Sequence, residues 1–387
     1  MTQPLVRVSR AVPTWFAPSE WSGAFGDLGT LVPFLLAYVA VAKVPAAGLL
    51  FTFGMAMIAV AIVYRTPFPV QPMKAIGTVA AAQVAAGATL GPDAFALAAL
   101  LTGVVWLGIG ASGMLQRLSR LVSRTVSFGI VLGLGLALMF EAAKMMSGNW
   151  SVAAPALFGT FLLLERRRFP VMVLLLVVGI CVGALQAPER LAEVIAAPLT
   201  PRLPELALPS FSLASLSAVA IVLVLPQLPL TFGNAVIAIV EENNRLFPER
   251  PVSESRVAVS TGVMNLFAGA CGGVPMCHGA GGMAGHIRFG ARTGGAPFIL
   301  GVLLVSSALL AADMVAAVLA LLTVPILGVI LFLAGSQLAL GVCEGWDRKD
   351  DRFILLVTAG LSLWNVGIGF LAGIAFQWIL KRGWVRL

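Results

Sequence analysis

Apolar runs long enough to cross a bilayer recur from Phe25 to Leu380 with little polar interruption, which leaves the chain few architectures. Of its 387 residues, 59% are hydrophobic and 11% are charged, whereas a soluble globular protein carries about a quarter charged residues. A soluble chain of this make-up would expose too much apolar surface to stay dispersed. Strands of a membrane barrel alternate polar and apolar residues, and these runs do not, so the spans are helices. The expected fold is an all-α polytopic membrane protein with about fourteen transmembrane helices. The first-half spans are predicted near 25–42, 46–64, 71–87, 94–115, 125–146, 151–164 and 169–186. Those of the second half fall near 211–240, 255–271, 276–287, 296–312, 316–342, 353–366 and 367–381.

Charge placement orients these spans. With a cytoplasmic N-terminus, the ends of even-numbered spans face inward and carry Arg65, Arg117, Arg120, Arg124, Arg166, Arg167, Arg168, Arg245, Arg250, Arg256, Arg288, Arg292, Arg348, Lys349 and Arg352. The termini add Arg7, Arg10, Lys381, Arg382 and Arg386, while outer loops hold only Lys43, Lys144, Arg190 and Arg202. This asymmetry obeys the positive-inside rule and predicts a multi-pass protein of the bacterial inner (plasma) membrane with both termini cytoplasmic. The net charge of +8 therefore reports topology and not nucleic-acid binding. Residues 1–24 lack a compact apolar stretch before a cleavage site and read as a cytoplasmic N-terminal segment. Cys181, Cys271, Cys277 and Cys343 show no C-x-x-C spacing, so neither a disulfide framework nor a zinc site is expected.

The chain divides into two halves, residues 25–186 and 211–387, joined by a Pro-rich extracytoplasmic linker over 187–210. Phe25-Gly26-Asp27 in the first span is echoed by Phe232-Gly233-Asn234 in the eighth. Pro72-Met73 in the third is echoed by Pro275-Met276 in the tenth. Seven spans per half is an odd number, which would turn the second copy over, so the echo suggests an inverted repeat.

Chemistry concentrates where the apolar pattern breaks. Pro67-Phe68-Pro69-Val70-Gln71-Pro72-Met73-Lys74 cannot continue a helix interior but can lead into one. Cys271-Gly272-Gly273-Val274-Pro275-Met276-Cys277-His278-Gly279 does the same with glycines that let backbone amides approach a ligand. Two short helices that aim their N-termini at one point would form an anion site with few formal charges. Irregular backbone at this depth needs protein or a wet cavity around it.

PFPVQPMKAIGTVA and ACGGVPMCHGAGGMAGHIRFGARTGG resemble the paired signatures of the molybdate transporter family, relatives of the SulP sulfate permeases. FGDLGTLVPF and PLTFGNAV fit the same resemblance, whereas Ile287 stands where tyrosine is common. The resemblance implies a seven-plus-seven inverted repeat with core and gate domains, an oxyanion site between the third and tenth helices, and an elevator-like movement.

Candidate substrate-binding residues are therefore Gln71, Pro72, Met73, Lys74, Asn234, Gly273, Pro275, Met276, Cys277, His278 and Gly279, with Asp27 as the coupling candidate for a proton or cation. Lys74 carries the sharpest signal, because an ionisable group within a span is expensive; its bland alternatives are pairing with Asp27 or snorkelling. Gln71 reads equally as donor to an oxyanion or as a cap. His278 reads as a donor, a proton relay or a hydrogen-bonded packing residue. Gln227, Thr231 and Asn234 form a polar strip open to interhelical bonding. Gly129-x-x-x-Gly133 and Gly281-x-x-x-Gly285 permit close helix approach and are compatible with a homodimer. No G-x-x-x-x-G-K-[ST] loop is present, so secondary transport is expected, with neither cofactor nor catalytic group. Sulfate, tungstate or another tetrahedral oxyanion is the alternative cargo; a channel or a membrane enzyme is the alternative class.

Overall fold

A computed structural model describes residues 14–36, 38–39, 42–78, 90–115, 123–163, 171–197, 212–340, 348–364 and 366–384, with isolated positions between 199 and 209. Arg7, Arg10, Arg117, Arg120, Arg166–Arg168, Arg202, Arg386, Cys343, residues 79–87 of the third predicted span and much of the linker lie outside the described residues.

The described chain is built of helices joined by short connections, with one pair of two-residue strands. The first half contributes α1 (Pro18–Ala24), α2 (Leu28–Leu36), α3 (Ala46–Tyr64), the strand β1 (Gln71–Pro72) and α4 (74–78). It continues with α5 (Pro92–Ala111), α6 (Arg124–Ser147), α7 (Trp150–Leu163), α8 (Val171–Gln186) and α9 (Pro188–Ala196). The second half contributes α10 (Leu213–Leu246), α11 (Glu254–Ala270), the strand β2 (Met276–Cys277) and α12 (Ala280–Arg288). It ends with α13 (Gly295–Ala320), α14 (Val324–Leu340), α15 (Lys349–Trp364) and α16 (Val366–Lys381).

Among the described residues five helices are long and apolar enough to cross a membrane, or six if the pair α8 and α9, bent by 111°, is one span. Of the tenth predicted span, residues 276–279 are extended behind the motif proline, and the helix α12 begins at Ala280. The first helix begins at Pro18, ahead of the predicted position 25, since proline suits a first helical turn. Residues 188–196 of the linker form a helix for the same reason, and Arg190 Nη1 donates to the Ala320 carbonyl at 3.2 Å. α13 bends at Ala311 (φ −145°, ψ 24°), close to where the eleventh span was expected to end. α10 widens into π-helical turns at Ala220–Val224 and Thr231–Ala238, around Pro226 and Pro229, which have no amide hydrogen to give.

Apolar packing separates into two bodies. The larger draws on α1–α5 and α10–α13, including Leu49, Phe53, Phe68, Phe95, Trp106 and Val257. The smaller is built by α6, α7, α8 and α14 around Ala142, Leu175, Ile326 and Ile330. Between them lies a small third group of Ala75, Ile130, Val131 and Leu230. Helix pairs approach at glycine: an added Cβ on Gly54 would lie 2.6 Å from the Gly301 carbonyl oxygen, and one on Gly301 2.7 Å from that of Gly54. Gly135 and Gly335 repeat the arrangement between α6 and α14. Gly129 and Gly133 face Thr358, Ala359 and Ser362 of α15, so this glycine spacing serves packing within the chain.

Glu20 fastens the first helix. Its fully buried carboxylate accepts from the amides of Arg292 (2.7 Å), Thr293 (3.0 Å) and Ala296 (3.0 Å), at the start of α13. An anion at a helix N-terminus is stabilised by the free amides and the dipole together. Glu20→Ala would strand three buried amide donors, at about 1–3 kcal/mol for a buried unsatisfied group. The expected result is a thermal midpoint in detergent lower by several degrees, with Glu20→Gln intermediate; a melt equal to wild type would remove this cap from the stability account.

Candidate oxyanion site

Past α3 the chain turns at Arg65, which takes a left-handed conformation (φ 56°). Residues preceding prolines favour extended backbone, which carries the chain through Pro67, Pro69 and Pro72. Past α11, Gly272 makes the corresponding turn with φ 65°, a value that favours glycine. The two extended segments then meet as an antiparallel pair, Gln71 opposite Cys277 and Pro72 opposite Met276. The Met73 amide donates to the Pro275 carbonyl at 2.9 Å, so the proline of each motif lies beside the methionine of the other.

Two strands of two residues leave open edges, and side chains close them. Asn265 of α11 accepts from the Met276 amide (2.9 Å) and donates to the Met276 carbonyl (2.6 Å), imitating a third strand. Tyr38 donates to the Met73 carbonyl at 3.4 Å. Each strand then feeds a helix, α4 from Lys74 and α12 behind Gly279. The first turn of α4 is partly capped from across the molecule: Gln227 Oε1 accepts from the amides of Ala75 (2.9 Å) and Ile76 (3.4 Å), and its Nε2 donates to Thr231 Oγ1 (2.8 Å). The first turn of α12 is more open; Gly281 is exposed, and a Cβ added there would meet nothing within 4 Å.

A polar cluster gathers beside the strands. Gln71 Nε2 donates to Asp27 Oδ1 at 2.5 Å, with both side chains buried. Lys74, 6% exposed, lies within electrostatic reach of Asp27 and Cys277. His286 of α12 donates through Nδ1 to the Gly23 carbonyl (2.8 Å) and places Nε2 4.0 Å from Asp27 Oδ2. Gly282 has no room for a side chain: an added Cβ would sit 2.5 Å from Gln71 Nε2 and 2.9 Å from Asp27 Oδ1. Half-buried Asn234 brings Nδ2 within 3.7 Å of a Cβ placed on Gly279.

Asp27, Gln71, Lys74, Asn234, Cys277 and Gly279 thus share one locus, flanked by the paired Pro72, Met73, Pro275 and Met276. Gly273 lies apart, packed on Thr52 of α3. The His278 ring sits on the far side of the strand pair: Nδ1 donates to the Pro69 carbonyl (2.9 Å), and Nε2 bonds Ser260 Oγ (2.7 Å), which Tyr64 also reaches at 2.8 Å. With Nδ1 as donor to a carbonyl, the neutral ring accepts at Nε2, so both nitrogens are engaged and the ring pins the extended segment to α11. The sequence reading passes over Asn265 and His286. Each is a polar group within or beside an apolar run, a signal that marks partnered, functional positions in membrane helices.

The family described as "Molybdate transporter of MFS superfamily" matches residues 19–138 and 219–338, two segments of equal length that together exceed half of the chain. "Molybdate transporter 2" of Arabidopsis thaliana is 30% identical, with 94% of this chain and 87% of that protein aligned. "Molybdate transporter 1" of Chlamydomonas reinhardtii is 28% identical over 96% of this chain and 92% of its own length. Murine Slc26a9, an anion transporter solved in the inward-facing state, superposes with a TM-score of 0.71 at 13% identity, covering 97% of this chain and 70% of that one. The transmembrane domain of the cyanobacterial bicarbonate transporter BicA gives 0.59 at 17% identity, covering 91% and 96%. At such identities the likeness speaks for the fold, which is that of the SLC26 transporters. Sequence and fold agree that this chain is an integral membrane protein and belongs to the molybdate transporter family.

Proposed function

We propose that the protein is a secondary active transporter that imports molybdate by an elevator-type alternating-access movement. The observation that carries the reading is the antiparallel meeting of the two Pro-Met motifs. It sets Lys74 and the open first turn of α12 beside Gln71 and Asn234, which is a donor set suited to a tetrahedral oxyanion. Lys74 supplies a point charge and Gln71 and Asn234 supply amide donors. Gly279 lets the α12 backbone approach, and Pro72, Met73, Pro275, Met276 and Cys277 shape the floor, while Gly273 packs on Thr52 away from it. His278 holds the floor in place through Pro69 and Ser260. Asp27 carries the coupling charge, because a carboxylate facing the anion directly would repel it.

The seven-plus-seven inverted repeat of about fourteen helices is supported by exchange symmetry in the packing. α3 packs on α13 and α5 on α11, which is one contact seen twice if the halves are swapped; α6 on α14 and β1 on β2 each map onto themselves. The two family matches of equal length agree with that repeat. Core and gate domains correspond to the larger and smaller apolar bodies, with residues 187–210 as the extracytoplasmic link between halves. The basic residues support cytoplasmic termini and a bacterial inner-membrane location. A homodimer is compatible with the lipid-facing surface, where Phe158, Leu162 and Trp364 are exposed.

Import of a dianion opposes an inside-negative potential by about 2.3 kcal/mol per charge per 100 mV, so a co-transported proton or cation is needed. The second reading, sulfate or another tetrahedral oxyanion, follows from the same donors, since size and charge are alike. Purified protein in proteoliposomes should show saturable molybdate uptake that excess tungstate suppresses and sulfate suppresses less. Equal or stronger suppression by sulfate would transfer the assignment to sulfate, and flux that does not saturate would indicate a channel. Lys74→Met is expected to raise the half-saturation concentration about tenfold or more, equivalent to about 1.4 kcal/mol. Unchanged affinity would remove Lys74 from the site. Gly282→Ala should displace Gln71 from Asp27 and depress uptake strongly while the protein remains folded; wild-type uptake would show that the Gln71–Asp27 contact is dispensable.

A further inference from the structure

We propose that His286 and Asp27 together form the binding site for the single proton that accompanies each oxyanion, an inference that rests on the transport reading above. The chain contains two histidines. His278 has both ring nitrogens engaged. His286 does not: Nδ1 lies 2.8 Å from the Gly23 carbonyl oxygen, which can only accept, so Nδ1 carries a hydrogen. In the neutral ring Nε2 is then a lone pair. Among the described residues Nε2 has no hydrogen-bond partner, and it faces Asp27 Oδ2 across 4.0 Å. Both side chains are fully buried.

Two acceptors that face each other inside a membrane protein leave a place for one proton. When that proton binds Nε2, the imidazolium and the Asp27 carboxylate become a buried ion pair, with no other bond made or broken. The proton comes from the aqueous phase on the uptake side and returns to water on the other.

The surroundings contain few competing charges. Lys74 is a further cation within electrostatic reach of Asp27. Glu20, on α1 against α12, is committed to the amides at the start of α13. The Arg292 guanidinium bonds the carbonyl of Ala291, and Arg288 on α12 itself is exposed. On the inner end of α10, Glu242 pairs with Arg245 at 2.8 Å and Glu241 is exposed. α2 carries no ionisable residue.

The arithmetic of charge then gives the coupling. Without the proton, Asp27 offsets Lys74, and a dianion enters a locus of zero net charge. With it, the locus is positive by one, Lys74 is released toward the oxyanion, and each ligand tightens the binding of the other. Gln71 connects the two events sterically, because its amide rests on Asp27 Oδ1 and its backbone lies in β1.

The test counts protons. Wild-type protein in detergent, mixed with molybdate in weakly buffered solution containing an indicator dye, should take up about one proton per molybdate bound, and its affinity should change about tenfold per pH unit where linkage is steepest. His286→Asn keeps a donor for the Gly23 carbonyl but no titratable group. It should still bind molybdate, with proton uptake abolished and affinity flat across the same pH range. Proton uptake retained in His286→Asn would overturn the proposal. A second measurement needs neither a variant nor a substrate: ¹⁵N-histidine spectra of the wild type in nanodiscs should show one imidazole becoming imidazolium on acidification while the other stays neutral. Two neutral rings throughout would overturn the proposal. One titrating ring without any oxyanion binding would instead leave the proton site standing and refute the transport reading.

Discussion

In hydrocarbon an unsatisfied backbone amide has no water to turn to, so any stretch that leaves the helix must find its partners within the protein. The rest of the molecule is organised around meeting that demand at one place. A proline-rich segment after α3 and a glycine-rich one after α11 abandon helical geometry, and each supplies the other with a strand partner. The remaining edge groups are met by Asn265 and Tyr38. Helices begin on either side of that pairing, so their first turns and Lys74 are brought to one locus without long loops. Remove the pairing and neither helix start has a fixed position.

α10 shows the same economy from the opposite direction. Pro226 and Pro229 cannot donate, and the helix widens around them instead of breaking. Gln227, between them, reaches across to cap α4. A residue type that ordinarily ends a helix thus stays inside a 34-residue one and delivers a polar side chain to the neighbouring half. Glu20 solves a similar problem for α13, with a carboxylate in place of an amide.

The amino-acid sequence discloses the helical membrane class and the two breaks at Pro72 and Pro275, because composition and proline stereochemistry act locally. The locus of Asp27, Gln71, Lys74 and Asn234 is legible in outline, since buried ionisable residues in apolar runs are conspicuous. Pairings between positions distant in the chain are not legible. Nothing in the order of residues says that Gln71 meets Asp27, that His278 turns to Pro69 and Ser260, or that His286 closes on Asp27. Those depend on how the halves interlock. The helix within the linker escapes notice because its prolines suggest a loop, whereas Pro188 occupies the one helical position where proline is welcome.

The group of Ala75, Ile130, Val131 and Leu230 lies where α4 and α10 of the larger body meet α6 of the smaller. It contains no charge and no side-chain hydrogen-bonding group, and hydrophobic contact is non-directional. Such a seam resists being pulled open, since that would wet it, yet offers no detent against shear: a methyl group that loses one neighbour gains another of equal worth a few ångströms along. Directional contacts that join distant segments gather, by contrast, in the larger body, from the strand pair to the Glu20 cap. The strand pair and its polar neighbours are thereby held by directional bonds, whereas the contact of Ala75, Ile130, Val131 and Leu230 is held by apolar packing alone.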